Sequence, residues 1–257
     1  MSSRFHDKRA LVTGGSQGIG LAIAARLAQE GAKVAVVASS RREKAAAAIA
    51  AFPEPGRHLP EACDVRDVSE VNALVGRVSD RFGGIDLLVS AAGVFYPTPL
   101  GDTNEANYDR MVDINLKGTW NLINAVSPRM KSEKAGKIVN IASVAGVMGL
   151  ASYAVYCATK AGIIMMTRAL ATELAPHGVN INCVAPGNTS TPMNEDIRTK
   201  PELKPFLDAM AARTPSPRVY SEAGDMAAIA CFLLSEDARA MHGSCVLADE
   251  GFSAGIF

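Results

Sequence analysis

Tyr156 and Lys160 stand four residues apart in Tyr156-Cys157-Ala158-Thr159-Lys160, and Ser143 lies a short distance upstream. Four residues make about one helical turn, so a phenol and an ammonium project from one face. A free phenol titrates at about 10, too high for a base at neutral pH. A cation held close favours the phenolate and lowers that value, which makes tyrosine a usable proton donor or acceptor. The same spacing also occurs on ordinary helix surfaces, so it gains meaning only from its company. Tyr153 has Cys157 rather than lysine four residues on, and so lacks the cation.

That company begins at Thr13-Gly14-Gly15-Ser16-Gln17-Gly18-Ile19-Gly20, after the apolar run Ala10-Leu11-Val12 and before apolar residues at helical spacing. A strand, a glycine-rich turn and a helix N-terminus together make an anion site, where free N–H groups and the helix dipole meet a pyrophosphate. Gly14 permits the tight turn, Gly18 lets backbone approach phosphate, and Gly20 lets helix and strand pack closely. The spacing is GxxxGxG rather than the commoner GxGxxG. The plainer alternative is that these glycines only punctuate a strand–helix turn.

With both motifs present, the chain resembles the short-chain dehydrogenase/reductase family, in a form similar to the 3-oxoacyl carrier-protein reductases. The similarity runs from Arg9 to about Phe252, with the motifs in the family's order. It implies that Ser16, Gln17 and Ile19 join the three glycines in the cofactor loop, and that Asp64, followed by Val65, holds the adenine ring. Pro186-Gly187, with Thr189 and Thr191, would grip the nicotinamide amide. Asn115, Ser143, Tyr156 and Lys160 would form the catalytic set, Asn115 holding a water that links Lys160 to solvent. Taken singly, Ser143 is also a fitting cap for a turn, and Asn115 a satisfied polar core residue. Where relatives read NNAG, this chain has Ser90-Ala91-Ala92-Gly93; the serine replaces part of the lost hydrogen bonding and the alanines none. Ala248-Asp249-Glu250-Gly251 stands where relatives commonly read VDGG.

In the expected chemistry, hydride transfer at a carbinol carbon leaves one proton to move at oxygen. Tyr156 would be the acid in reduction and the base in oxidation. Lys160 would lower its pKa and hold ribose hydroxyls, and Ser143 would polarise the carbonyl. The cofactor choice falls at the end of the second strand. Ser39, Ser40 and Arg41 stand where an acidic residue would select a ribose 2′-hydroxyl. Hydroxyl and guanidinium groups suit a 2′-phosphate, so NADP(H) is expected over NAD(H). The competing role for Arg41 and Arg42 is a solvated helix start. No metal is expected.

The elements that must position these groups alternate. Strands are expected at Ala10–Thr13, Lys33–Ala38, His58–Cys63, Leu87–Ser90, Lys137–Ala142, Asn180–Ala185 and Cys245–Leu247. Helices are expected at Gly18–Glu30, Ser69–Phe82, Tyr108–Met130, Tyr153–Ala175 and Ser221–Leu234. The pattern predicts one α/β domain over 1–257, a doubly wound parallel sheet of Rossmann type with helices on both faces. The proline-rich stretch 188–217 breaks the alternation and reads as a substrate lid.

A length of 257 residues and 48% hydrophobic content suffice for one large core. Zero formal net charge argues against nucleic acid or an anionic membrane as partner. Five scattered cysteines without metal spacing read as reduced thiols, and a strand close behind the N-terminus leaves no room for a signal peptide. These features predict a cytoplasmic protein; a homotetramer is what the resemblance implies. Phe95, Val144, Ala145 and Met193, with Ser143, should face the substrate and favour an apolar group beside its carbonyl. Core packing is the rival role for Val144 and Val147. The carrier-protein-docking basic residue of the similar reductases is His177 here, so a free ketone, 3-keto ester or secondary alcohol stands beside a 3-oxoacyl substrate. A NAD-dependent alcohol dehydrogenase and a non-catalytic dinucleotide sensor on the same fold are the alternatives.

Overall fold

Near-continuous Val, Ile, Leu and Ala runs form strands buried on both faces, as a parallel sheet covered by helices requires. The computed structural model describes residues 3–254; residues 1–2 and 255–257 of the expected domain span lie outside the described residues. Its first half runs β1 (Arg9–Thr13), α1 (Gly18–Gln29), β2 (Lys33–Ala38), α2 (Arg42–Ile49), β3 (Leu59–Ala62), α3 (Val68–Phe82) and β4 (Leu87–Ser90). Next come α4 (Glu105–Met111), a π-helical turn at Val112–Lys117, α5 (Gly118–Glu133), β5 (Gly136–Ile141), α6 (Ala154–Leu174) and β6 (Val179–Pro186). The remainder is β7 (Thr189–Ser190), α7 (Glu195–Thr199), α8 (Lys204–Arg213), β8 (Ser221–Glu222), α9 (Ala223–Leu234) and β9 (Cys245–Ala248). The seven expected strands end within one residue of their predicted bounds.

Seven strands form one parallel sheet in the order β3-β2-β1-β4-β5-β6-β9. Strand order reverses between β1 and β4, and that switch point opens a crevice at their carboxyl ends. The register pairs Thr13 with Ser90, so the glycine turn after β1 and the Ala91–Gly93 turn after β4 leave the sheet side by side. At the opposite end Arg9 locks the same two strands, its guanidinium meeting Asp86 at 2.7 Å.

Two apolar layers hold the helices on. On one face α1 and α9 bury Ile23, Leu27, Met226 and Leu234 against Val12, Val36 and Val184. On the other, α3, α5 and α6 bury Leu74, Leu122, Ile123 and Leu170 against Leu11, Leu88 and Ile138.

One expectation needs correction. The single helix over Tyr108–Met130 is three pieces, because the six-residue π turn widens the coil between α4 and α5. The stretch 188–217 breaks the alternation as expected: it holds α7 and α8, and β7 pairs with β8 outside the main sheet. Neither helix contributes a buried residue.

Candidate active site

The crevice is a cleft of about 550 Å³ running from Ser39 and Asp64 past the glycine turn to Ser143, Tyr156 and the α7–α8 segment. Its phosphate-sized centre is made of backbone. Gly14 has φ +63°, and a Cβ there would lie 2.7 Å from the carbonyl oxygen of Ala91. Any side chain would therefore force apart the two turns that form the floor. At the start of α1, Gln17 is extended, no side chain caps the helix, and its first turn holds no acid. Its free N–H groups and dipole are thus left to an anion.

The chemical wall is built from three elements. Ser143 follows β5, and Tyr156 and Lys160 share the buried face of α6. Ser143 caps the turn after β5, its Oγ accepting from the Ala145 N–H at 3.2 Å, and lines the cleft together with Tyr156. Lys160 Nζ donates to the Ile141 carbonyl at 2.9 Å and lies 5.6 Å from the Tyr156 ring centre. Phe95 packs edge-on against Tyr156 at 4.7 Å and stacks on Tyr153 at 4.3 Å, fixing the phenol from the cleft side.

Asn115, fully buried in the π turn, clamps the chain after β4. Its Oδ1 accepts from Val94 N–H at 2.8 Å, and its Nδ2 donates to the Val94 carbonyl at 3.0 Å and to Thr159 Oγ1 at 3.3 Å. A Cβ on Gly93 would lie 3.3 Å from Asn115 Oδ1 and 3.7 Å from Lys160 Nζ, so that glycine keeps the approach to the lysine open.

The charge balance corrects one expectation. Lys160 does not lower the Tyr156 phenol in the chain by itself. Burial dominates and pushes the phenol up to about 12, against a smaller downward effect of the Ser143 hydrogen bond. Burial likewise pulls Lys160 down to about 8. Both groups are out of water, and the ammonium's bond goes to a backbone carbonyl rather than to the phenol.

Most residues predicted from the sequence line the cleft: Gly14, Ser16 to Gly20, Ser39, Asp64, Val65, Ala91 to Gly93, Pro186, Gly187, Thr189 and Thr191. So do Phe95, Ser143, Val144, Ala145, Tyr156, Lys160 and Met193. The cleft lining does not include Ser40 or Arg41, which are exposed, and the Arg42 guanidinium donates to the Pro60 carbonyl at 2.8 Å. Ser90 is buried behind the lining, and its Oγ has no partner, like Asn140 Oδ1 on the neighbouring strand. The serine therefore recovers none of the hydrogen bonding expected of it. Val147 is 52% exposed, outside both core and cleft. Asp64 lines the cleft with its carboxylate held by Arg66 at 2.6 Å, which keeps its pKa below the usual range.

Among the lining residues missed from the sequence are Lys44, Arg110, Phe206, Arg213 and Phe252. Lys44 sits in the first turn of α2, where its distance from the end of β2 was the available signal. The others arrive through long connections and carried none.

Among the described residues no group of His, Cys, Asp and Glu could hold a metal ion, and no helix is long and apolar enough to cross a membrane. The family model for short chain dehydrogenases matches residues 8–202. The 3-oxoacyl-[acyl-carrier-protein] reductase FabG of Staphylococcus aureus is 37% identical over 95% of this chain and 97% of its own. Levodione reductase of Leifsonia aquatica is 37% identical over 98% of this chain and 97% of its own. The crystal structure of a short chain dehydrogenase from Burkholderia cenocepacia in complex with NADP superposes with a TM-score of 0.86, at 34% identity over 97% of this chain and 99% of that one.

Proposed function

The chain belongs to the short-chain dehydrogenase family and is an oxidoreductase of alcohol and ketone groups, and on that premise we propose an NADP(H)-dependent enzyme that interconverts a secondary alcohol and a ketone with Tyr156 as acid–base residue. The observation that carries this reading is the convergence of Ser143, Tyr156 and Lys160 on one buried wall of a cleft whose other end suits a dinucleotide. The uncapped start of α1 and the side-chain-free floor at Gly14 fit a pyrophosphate. A nicotinamide dinucleotide, when bound, supplies or accepts the hydride.

This chain's residues handle the oxygen and its proton. In reduction, the Tyr156 hydroxyl delivers a proton to the substrate oxygen while Ser143 Oγ hydrogen-bonds that oxygen and holds it against the phenol. The high pKa of the phenol keeps it protonated and ready to donate at neutral pH. Lys160 places a positive charge behind the phenol, and Asn115 holds the strand end that borders it. Pro186, Gly187, Thr189 and Thr191 would hold the nicotinamide end, and Asp64 with Val65 the adenine end.

For NADP(H), support shifts from Arg41 to Lys44: with Ser39 it lines the adenosine end, and the residue directly after β2 is Ser39 rather than an acid. A cation and a hydroxyl there favour a 2′-phosphate. The NADP complex of the Burkholderia relative points the same way. The α7–α8 segment fits a lid over the substrate end, with Met193 and Phe206 turned to the cleft. Five free thiols suit the cytoplasm. Trp120 on α5 and Met165 on α6, 45% and 60% exposed, offer apolar surface to the other copies of a homotetramer.

The test is oxidation of NADPH and of NADH across ketones, 3-keto esters and 3-oxoacyl thioesters, by Tyr156→Phe beside the native chain. Loss of at least about 10³-fold in turnover, with NADPH binding retained and preferred to NADH, is expected. Undiminished turnover in the variant refutes the role of Tyr156; equal use of both cofactors refutes the phosphate reading.

A further inference from the structure

The substrate end of the cleft is apolar in body but positively charged at its edge. Phe95, Met148, Met193, Phe206 and Met210 supply the apolar lining. Two arginines line it as well, from opposite parts of the chain: Arg110 in α4 and Arg213 at the end of α8. Each guanidinium is laid over an aromatic ring, Arg110 at 5.5 Å from the centre of Tyr96 and Arg213 at 5.0 Å from that of Phe252. Stacking of this kind restrains the planar group by its face and leaves its N–H edge available.

Neither guanidinium has a carboxylate partner among the described residues. Arg218, a few residues beyond Arg213, provides the contrast: it is tied to Asp225 at 3.1 Å and Glu250 at 2.7 Å. Among the described residues, the one acid that lines the cleft, Asp64, is at the adenosine end and already held by Arg66. Two cations with no carboxylate partner among the described residues, at an apolar opening, draw in and orient an anion.

We propose that Arg110 and Arg213 form an anion-recognising rim, and that the substrate is an apolar carbonyl or alcohol compound bearing a remote carboxylate or phosphate ester. The inference rests on the proposed function and narrows its substrate class. The reacting oxygen meets Ser143 and Tyr156, the apolar body lies along Phe95 and Met193, and the anionic end stays in the charged opening. An exposed pair of this kind is screened by salt, so its contribution falls as ionic strength rises.

The experiment uses two matched pairs of substrates with NADPH. One pair is a 3-oxoacyl thioester of phosphopantetheine and the same acyl group on neutral N-acetylcysteamine; the other is a medium-chain oxo acid and its methyl ester. The quantity read is the ratio of kcat/KM, anionic over neutral, at low and high salt. A ratio of about 10 or more in one pair is expected, since a tenfold ratio corresponds to about 1.4 kcal/mol. The ratio should fall in high salt, collapse towards one in R110Q/R213Q, and recover in part in R110K/R213K. The pair that shows it identifies phosphate or carboxylate. Ratios near one in both pairs, or a ratio unchanged in R110Q/R213Q, overturn the proposal. Calorimetric binding of the same four compounds to the Tyr156→Phe chain with NADPH reads the ratio without turnover. Failure of all four to react thus refutes the proposed reaction class, while equal binding of charged and neutral members refutes the rim.

Discussion

The wall carrying Ser143, Tyr156 and Lys160 and the α7–α8 segment facing it border one cleft but are built in opposite ways. In the wall, the key polar groups are buried or half-buried and tied to main chain: Lys160 to Ile141, Asn115 to Val94, Ser143 to Ala145. The segment buries no residue from either helix, and its charges meet through exposed one-turn pairs such as Lys200 with Asp196 and Lys204 with Asp208. Pairs of that kind contribute little stability. Chemistry that must hold atoms to a fraction of an ångström is placed on packed elements, and the surface that must admit and fit a substrate is placed on a weakly anchored one.

The sharpest way to break this contrast is at Lys160. Burial holds its pKa near 8, well below the value in an unfolded chain, so the ammonium is kept at the expense of stability. The sign follows from proton binding. Between the two values the unfolded chain binds more protons, so this group's contribution to stability rises with pH above about 8 and is at its worst below it. Lys160→Met should abolish turnover by about 10³-fold or more while raising stability by about 1 kcal/mol, the loss of the bond to Ile141 offsetting part of the gain. Denaturant melts beside turnover assays check both halves; a variant that is both inactive and destabilised would show the lysine holding the fold instead. In the native enzyme, ketone reduction should decline as pH rises through about 8, where Lys160 loses its charge.

A smaller effect is expected at Asn115. Asn115→Ala leaves the half-buried Val94 N–H and C=O without their side-chain partners, at about 1–2 kcal/mol of stability, and lets the strand end beside Lys160 drift. Turnover should fall about 10²-fold with KM for ketone changed much less. A change confined to KM would move Asn115 from the wall to the binding surface.

The least costly lesion is on the other side. Met193→Ala with Phe206→Ala, 49% and 38% exposed in the native chain, should raise KM a few-fold while leaving the denaturation midpoint within about 0.5 kcal/mol of native. Strong destabilisation would mean that the segment is packed as firmly as the wall, and the contrast would fail.

The legible part of the molecule is where local sequence and local structure coincide. The long strands were readable because a parallel strand buried on both faces is a largely apolar run, interrupted by Asn140 in β5 and by Asn180 and Asn182 in β6, and β2 lies at Lys33–Ala38 as expected to the residue. The glycine turn and the Tyr156–Lys160 spacing were readable because a loop and a single helix hold all their parts. Asn115 was legible as a residue, but the π turn that presents it was not; helical periodicity does not distinguish a widened coil from a regular one.

What the sequence determined by itself is therefore the fold class, the glycine turn and the residues proposed to handle the proton, since each rests on patterns within a few positions. Tertiary structure alone decided three things. Burial, not the adjacent lysine, sets the Tyr156 phenol high, because desolvation depends on everything packed around it. Lys44, rather than Arg41, faces the adenosine end, because a helix start can aim either residue. Arg110 and Arg213 line one cleft though far apart in sequence, because the path of the chain, which no short pattern encodes, brings α4 and α8 to it.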